Sequence, residues 1–407
     1  MSLHVLMISP GYPAEMPFFT RGLSQVGAKV IGLGDQPKEA LPAIAREHVA
    51  LHHQVRTLWD EPTVIEVVRR WSAADRIDRV ECLWEPGMIL AARIREGLGL
   101  PGMTVEQTIP FRDKEIMKQK LDAAGIRTPR HFRARTEFEV RDAVEKIGYP
   151  IIVKPIAGAG SADTHRCDTT ADLDRALKLI RHVEEVSVEE FVEAEEFTFD
   201  TICAGGRMYF ENICWYRPRP LAQRQHEWIS PQSVCLRDLS APDLQGGRKM
   251  GREVLNALGW DTGFTHMEWY RKADGEVVFG EIGGRPPGAR TVDIMNYCTD
   301  NDTYVGWAEA AVFGRVERQF ERKWNVVITF KRAQGQGRIR KIVGLEKLLS
   351  EFGKYVIEVD LTPVGAPRRN WKQTLVGDGY VVVRHPELSV ALQMSERVAS
   401  EVHLYAS

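Results

Sequence analysis

At 407 residues the chain is longer than one hydrophobic core supports and implies two or three domains. Apolar residues are 43% and charged residues 27%, an ordinary globular composition, and 56 acidic against 54 basic residues leave a net charge of -2. That balance supplies no global basic field to hold nucleic acid or an anionic membrane, and leaves room for a locally positive pocket. The six cysteines lack C-x-x-C spacing, which argues against a zinc site or a disulfide framework. The apolar run in MSLHVLMISP is too short for a signal peptide, and no stretch has the roughly 18 apolar residues of a membrane span. The expectation is a cytoplasmic protein with no membrane partner.

In chain order, HVLMIS (4–9) predicts a strand, PFFTRGLSQVG (17–27) a helix, and KVIGLG (29–34) a second strand. VECLWE (80–85) predicts another strand, followed by the helix MILAARIREGLG closing near Gly99. Strand–helix alternation implies a parallel sheet, whose ligands sit beyond the C-terminal strand ends, where Ser9 to Pro13 and Glu85 fall. The plainer reading of Glu85 is a solvated strand end. The loop SPGYP is not G-x-G-x-x-G, so a dinucleotide site has no support. RDKEIMKQKLDAAG predicts a helix stopping at Gly125, YPIIVKP (149–155) a strand, and AGAGSAD (157–163) a small-residue loop. TTADLDRALKLIRHV is an amphipathic helix with a Thr cap, and SVEEFV, EFTFDTICA and RMYFENICW are strand-like around the turn Gly205–Gly206. A long Arg- and Pro-rich loop is expected over 216–233, carrying Arg217, Arg219 and Arg224. From about Trp324, strands, a short helix and the last helix SVALQMSERVASEV predict a separate small α+β domain.

FTHMEWYRK and EVVFGEIG flank Asp274–Gly275, which signals a two-residue hairpin turn. Counting back from that tip, Ala273 faces Glu276 and Glu268 faces Glu281. Two carboxylates ~5 Å apart at an effective dielectric of ~20 repel by roughly 3 kcal/mol. A good cross-strand pair contributes only about 0.2–1 kcal/mol. A shared proton or a bound cation is therefore needed, unless the turn has another length or the glutamates point into solvent. Oxygen-only ligands without His or Cys favour Mg²⁺ over zinc, and a Mg²⁺ held by two carboxylates takes its remaining ligands from phosphate and water. Lys154 ends an apolar strand before A-G-A-G-S, where glycines let backbone N–H groups approach phosphate. Taken alone that is a plain turn, and the Glu-rich segment 189–197 taken alone is surface.

The order of these pieces carries more. Asp113–Lys114, V-K-P with its glycine loop, E-E-F-V with Glu196 downstream, and Glu268 followed by E-I-G-G-R resemble the ATP-grasp superfamily. Gly263-Phe-Thr-His266-Met-Glu268 is similar to the G-x-x-H-x-E of its carboxylate–amine (amino-acid) ligase branch. The resemblance implies a three-domain α/β and α+β architecture. A Rossmann-like N-terminal domain would span 1–108, an ATP-grasp domain 109–322 and a small C-terminal α+β lid domain 323–407. It implies that Lys114 and Lys154 contact the phosphates of ATP under a cover containing Ala159, Gly160 and Ser161. It further implies adenine on the backbones of Glu190 and Val192, ribose on Glu196, Mg²⁺ (or Mn²⁺) on Glu268 and Glu281, and an acyl phosphate on Arg285. Many members have Asn two residues after the second glutamate; here Gly283 stands there, facing His266 in the predicted register. The space at Gly283 could admit His266 or a water to the metal or substrate, against a plainer role for His266 in packing.

The implied reaction joins a carboxylic acid and an amine, such as two amino acids, through an acyl phosphate, with a homodimer as the implied assembly. Arg290 and the 216–233 arginines are candidates for a substrate carboxylate, or are solvated. Within the superfamily the alternatives are a biotin carboxylase-like or formate-using transformylase-like reaction. Outside it, the alternative is a non-catalytic ATP-binding regulator.

Overall fold

The computed structural model describes residues 2–157, 163–374 and 376–407. The first hundred residues form the expected parallel sheet, with strands in the order Leu51–Gln54, Lys29–Gly34, His4–Ile8, Arg79–Glu81. The predicted strand 80–85 is cut short at Glu81, and the chain then turns through a 3-10 segment, Glu85–Gly87. The helix Met88–Leu98 ends on Gly99 in the left-handed conformation (φ 65°), as its sequence signals.

Two further sheets build the middle of the molecule. The smaller runs His131–Ala134, Val186–Glu190, Ile151–Pro155, His165–Cys167, and all its pairings are antiparallel. The larger has nine strands and starts with Val277–Gly283, Gly263–Arg271 and Glu195–Ala204, then continues through Cys214–Arg217 and Gln232–Cys235. Asn325–Phe330, Gly379–His385 and Val356–Leu361 then extend it, while Arg207–Asn212 pairs off this path with Glu195–Ala204. The C-terminal segment therefore does not form its main sheet alone, as its sequence suggests. Asn325–Phe330 hydrogen-bonds to Gln232–Cys235 with Val234 opposite Val327. Gln334–Gly335, His403–Ala406 and Ile339–Val343 form a small sheet of their own.

The expected loop over 216–233 is also more structured than its Arg and Pro content implies, with a helix at Pro220–Gln225 and a strand from Gln232. Pro220 at the first helical turn costs no hydrogen bond there, so it starts the helix instead of preventing it.

Period-two alternation sorts the three strands that carry the hairpin. Phe197, Phe199, Met267, Trp269, Phe279 and Ile282 are all buried in one apolar cluster. Thr198, Asp200, His266, Glu268 and Glu281 alternate with them and take the opposite face. The helix Gln245–Ala257 closes the apolar side so tightly that a Cβ on Gly247 would lie 2.3 Å from the Trp269 ring. Among the described residues no helix is long and apolar enough to cross a membrane.

Alanine normally stabilises a helix over glycine by about 1 kcal/mol. At Gly247 overpacking against Trp269 is expected to reverse the sign, so that Gly247→Ala loses roughly 1–3 kcal/mol in urea unfolding. Gly97→Ala, whose Cβ would meet only the flexible end of Arg69 at 3.3 Å, is expected to gain stability in the same measurement.

Candidate active site

The hairpin places Glu268 directly opposite Glu281, and His266 opposite Gly283, as the sequence predicts. The turn itself differs from the prediction. Arg271 pairs with Val277, and the Lys272 amide donates to the Glu276 carbonyl at 2.9 Å, so the tip holds three residues rather than two. That slips the register by one. A bulge at Gly280 slips it back between Trp269 and Glu268. Glycine is required there, because a Cβ would sit 2.8 Å from the Glu268 carbonyl oxygen. The Glu268–Glu281 pairing thus follows from two irregularities that cancel.

Glu281 is met by cations. Its carboxylate lies 3.1 Å from Lys114 Nζ and 4.0 Å from Lys154 Nζ. Burial alone would raise its pKa, but the two lysines hold it below the ordinary carboxylate range. Lys114 opens the helix Lys114–Ala123, whose first amides are capped by the Asp113 carboxylate. Lys154 stands in the strand Ile151–Pro155 and also pairs with Glu189 at 2.9 Å. The other Glu189 oxygen accepts from Lys118, a fully buried lysine. Burial would raise Glu189 too, yet Lys118 and Lys154 hold it well below the usual range. The segment 189–197 is therefore not a surface edge, since Glu189 and Glu196 are both buried.

Burial, with Glu268 nearby, pushes Glu196 up to about 7 against the pull of Arg219. Arg219 donates to the Glu196 carboxylate at 3.1 Å and to the Val192 carbonyl at 2.6 Å, with its guanidinium over the Phe191 and Tyr270 rings. It is thus neither solvated nor in a free loop. The Glu190 side chain turns to Arg127 and Arg130. Ala159, Gly160 and Ser161, expected to cover phosphates, lie outside the described residues.

Arg285 donates to Glu85 at 2.7 Å, and Glu85 also accepts from Arg112. Glu85 is 7% exposed, so it joins the N-terminal sheet to the hairpin rather than ending a strand in solvent. The space beside Gly283 is taken by the Arg285 stem, 3.3 Å from where a Cβ would be, not by His266. The His266 ring instead donates from Nδ1 to Asp200 at 2.6 Å, and its Nε2 stands 3.6 Å from Glu268. Burial would lower the His266 pKa, but these two carboxylates push it up to about 9. Arg290 is likewise engaged, by Glu358 at 3.0 Å and Asp293 at 3.2 Å.

Lys114, Lys154, Glu190, Val192, Glu196, His266, Glu268, Glu281 and Arg285 all line one cleft. The described candidates for nucleotide, metal and acyl phosphate thus share one cleft, together with Arg219, whereas Arg217, Arg224 and Arg290 are not among its lining residues. Among the described residues no group of three or more His, Cys, Asp or Glu forms a metal cage. A hard divalent cation would have the oxygens of Glu268 and Glu281 and would complete its shell with water and phosphate, so this donor set fits Mg²⁺.

The profile of the ATP-grasp domain matches residues 119–296, and that of the ATP-grasp N-terminal domain matches 24–102. The chain belongs to the ATP-grasp family. It is 28% identical over 218 residues to an L-arginine-specific L-amino acid ligase of Bacillus subtilis, covering 51% of each chain. It is 25% identical over 280 residues to a formate-dependent phosphoribosylglycinamide formyltransferase of Corynebacterium efficiens, covering 63% of this chain and 68% of that one. The chain thus spans about half the length of the first of these relatives. The fold matches an L-amino acid ligase structure from Bacillus licheniformis at TM-score 0.80, with 21% identity and 100% and 99% coverage. It also matches an N5-carboxyaminoimidazole synthetase from Staphylococcus aureus complexed with ADP at TM-score 0.72, with 15% identity and 98% coverage of both. Within this ATP-grasp chain the hairpin, Lys154 and Glu189 fall inside the matched ATP-grasp domain, and Glu85 inside the N-terminal one.

Asp200, Glu189, Lys118 and Arg112 are not among the residues the sequence picks out for the site, and Arg219 is picked out for a substrate carboxylate rather than for Glu196. An acid at Asp200, within the apolar run FTFDTICA, was the available signal for one of them.

Asp293 offers a pH test of the Arg290 cluster. Burial raises its carboxyl to about 6, against Arg290. A carboxyl that binds its proton more tightly when folded stabilises the fold below its unfolded pKa, and that stability is lost as pH rises from about 4 to about 6. Urea unfolding across this window should show a smaller loss for Asp293→Asn than for the wild type.

Proposed function

We propose that the chain is an ATP-dependent ligase that joins a carboxylic acid to an amine, releasing ADP and phosphate. One observation carries the reading: Glu268 and Glu281 face each other in a cleft where Lys114, Lys154 and Arg285 converge. The carboxylate oxygen of the acid attacks the γ-phosphorus of ATP, and the bond to the β,γ-bridging oxygen breaks to release ADP. The amine nitrogen then attacks the acyl carbon, the carbon–oxygen bond to phosphate breaks, and the nitrogen gives up a proton to solvent.

In this scheme no side chain acts as a nucleophile; the residues bring the reactants together and neutralise charge. Lys114 and Lys154 meet the phosphates. The backbones of Glu190 and Val192 face adenine, and Glu196, shared with Arg219, accepts from the ribose hydroxyls. Arg285, braced by Glu85, stabilises the acyl phosphate. Mg²⁺ or Mn²⁺ held by Glu268 and Glu281 would neutralise charge on the transferring phosphoryl group. Amino acids are the favoured substrates, since two relatives named above are amino acid ligases. A formate-using reaction on a nucleotide precursor is the second reading, favoured by the formyltransferase relative.

Release of ADP and phosphate across a panel of amino acids, with formate plus phosphoribosylglycinamide included, tests the reading. Amino-acid-dependent release is expected, falling about a hundredfold or more in Glu268→Gln and in Lys154→Ala. Release dependent on formate would support the second reading. Nucleotide binding without acid-dependent release would make the chain a regulator and reject both.

A further inference from the structure

We propose that Asp200 is a positioning residue for the hairpin, holding His266 so that its outer nitrogen steers the Glu268 carboxylate towards Glu281. The inference rests on the metal-binding role given above to those two glutamates. Two adjacent rows of residues cross the sheet: Asp200, His266 and Gly283 in one, and Thr198, Glu268 and Glu281 in the next. Asp200 has no exposure at all, in a strand whose neighbours Phe199 and Ile202 are core residues. Burying a carboxylate there costs free energy that an apolar side chain of similar size would not, so packing does not account for it.

Its oxygens are aimed by their partners. One accepts from the Thr198 hydroxyl at 2.7 Å and the Asn212 amide at 3.0 Å; the other accepts from His266 Nδ1 at 2.6 Å. Asn212 is itself fixed by Arg322, which donates to its carbonyl at 2.8 Å. The acid is thus anchored from behind and cannot swing without breaking those bonds. A carboxylate only accepts, so Nδ1 carries the hydrogen and Nε2 is turned the opposite way, into the cleft, 3.6 Å from Glu268. Gly283 at the end of the row has no side chain to compete for that position. Among the described residues no group of three or more metal-binding side chains forms at the hairpin, so the orientation of each glutamate matters, and partners behind metal ligands are worth about 10–100-fold in affinity or activity.

The test is Mn²⁺ binding in the presence of ADP, read from the paramagnetic resonance signal of free Mn²⁺. Asp200→Asn and His266→Asn are each expected to raise the Mn²⁺ dissociation constant about tenfold or more. His266→Asn keeps a donor for Asp200 while losing the outer nitrogen, and it lies at the cleft, so it serves even where Asp200→Asn does not fold. The double variant is expected to be no worse than His266→Asn alone, because both changes act through one ring. ADP binding without divalent metal should stay at the wild-type value. An unchanged Mn²⁺ constant in His266→Asn overturns the inference, as does a double variant in which the two losses multiply. If wild-type protein takes up no Mn²⁺ with ADP, the metal role of the hairpin fails and the inference falls with it.

Discussion

A carboxylate placed against another carboxylate in a strand pair repels it by more than packing returns, so the hairpin requires positive charge from elsewhere in the chain. Lys114 arrives from the start of a helix and Lys154 from a strand of the smaller sheet, and both reach Glu281. Those contacts join the smaller sheet, the helix and the large sheet at one point. The same demand for balance then spreads outward. Lys154 needs Glu189, Glu189 needs Lys118, and the polar chain ends against Ser187, Glu115 and His131 near the surface.

Such buried ion pairs contribute little net stability, because desolvation offsets attraction. Removing one member is a different matter, since it strands a charge. The arrangement therefore favours a defined geometry over a gain in stability. Arg285 repeats the pattern on the other side of the cleft, where Glu85 binds it from the N-terminal sheet and Arg112 shares the load. Cationic side chains held in place by acids lose less freedom on meeting an anionic ligand than free lysines and arginines do, which is the physical content of preorganisation.

Much of this was legible in the sequence because the informative signals are local. The strands Lys29–Gly34 and Ile151–Pro155, the capped helices and the Gly99 stop obey short-range rules of periodicity and capping. The facing pair Glu268–Glu281 was also found, although the two-residue turn used to find it was wrong. What escaped notice depends on tertiary contact. Nothing local distinguishes Glu189 as a buried partner of two lysines from a glutamate at a sheet edge. Arg219 reads as a loop cation until Phe191, Tyr270 and Glu196 are brought around it. The joining of the C-terminal strands to the large sheet rests on the pairing of Gln232–Cys235 with Asn325–Phe330, about ninety residues apart, which no pattern within either segment encodes.

The bulge at Gly280 matters for how the hairpin can change over time. Facing in a strand is a matter of parity: an odd insertion sends every later side chain to the other side. Here the extra residue at the tip and the extra residue at Gly280 make an even total, and Glu281 returns to the side of Glu268. Phe279 and Ile282, three positions apart, consequently share the core face on either side of the offset. A hairpin built this way can lose or gain one residue at its tip and keep its two acids together only if the bulge is lost or gained with it, so the length of the tip and the glycine five residues beyond Gly275 are bound to evolve as a pair.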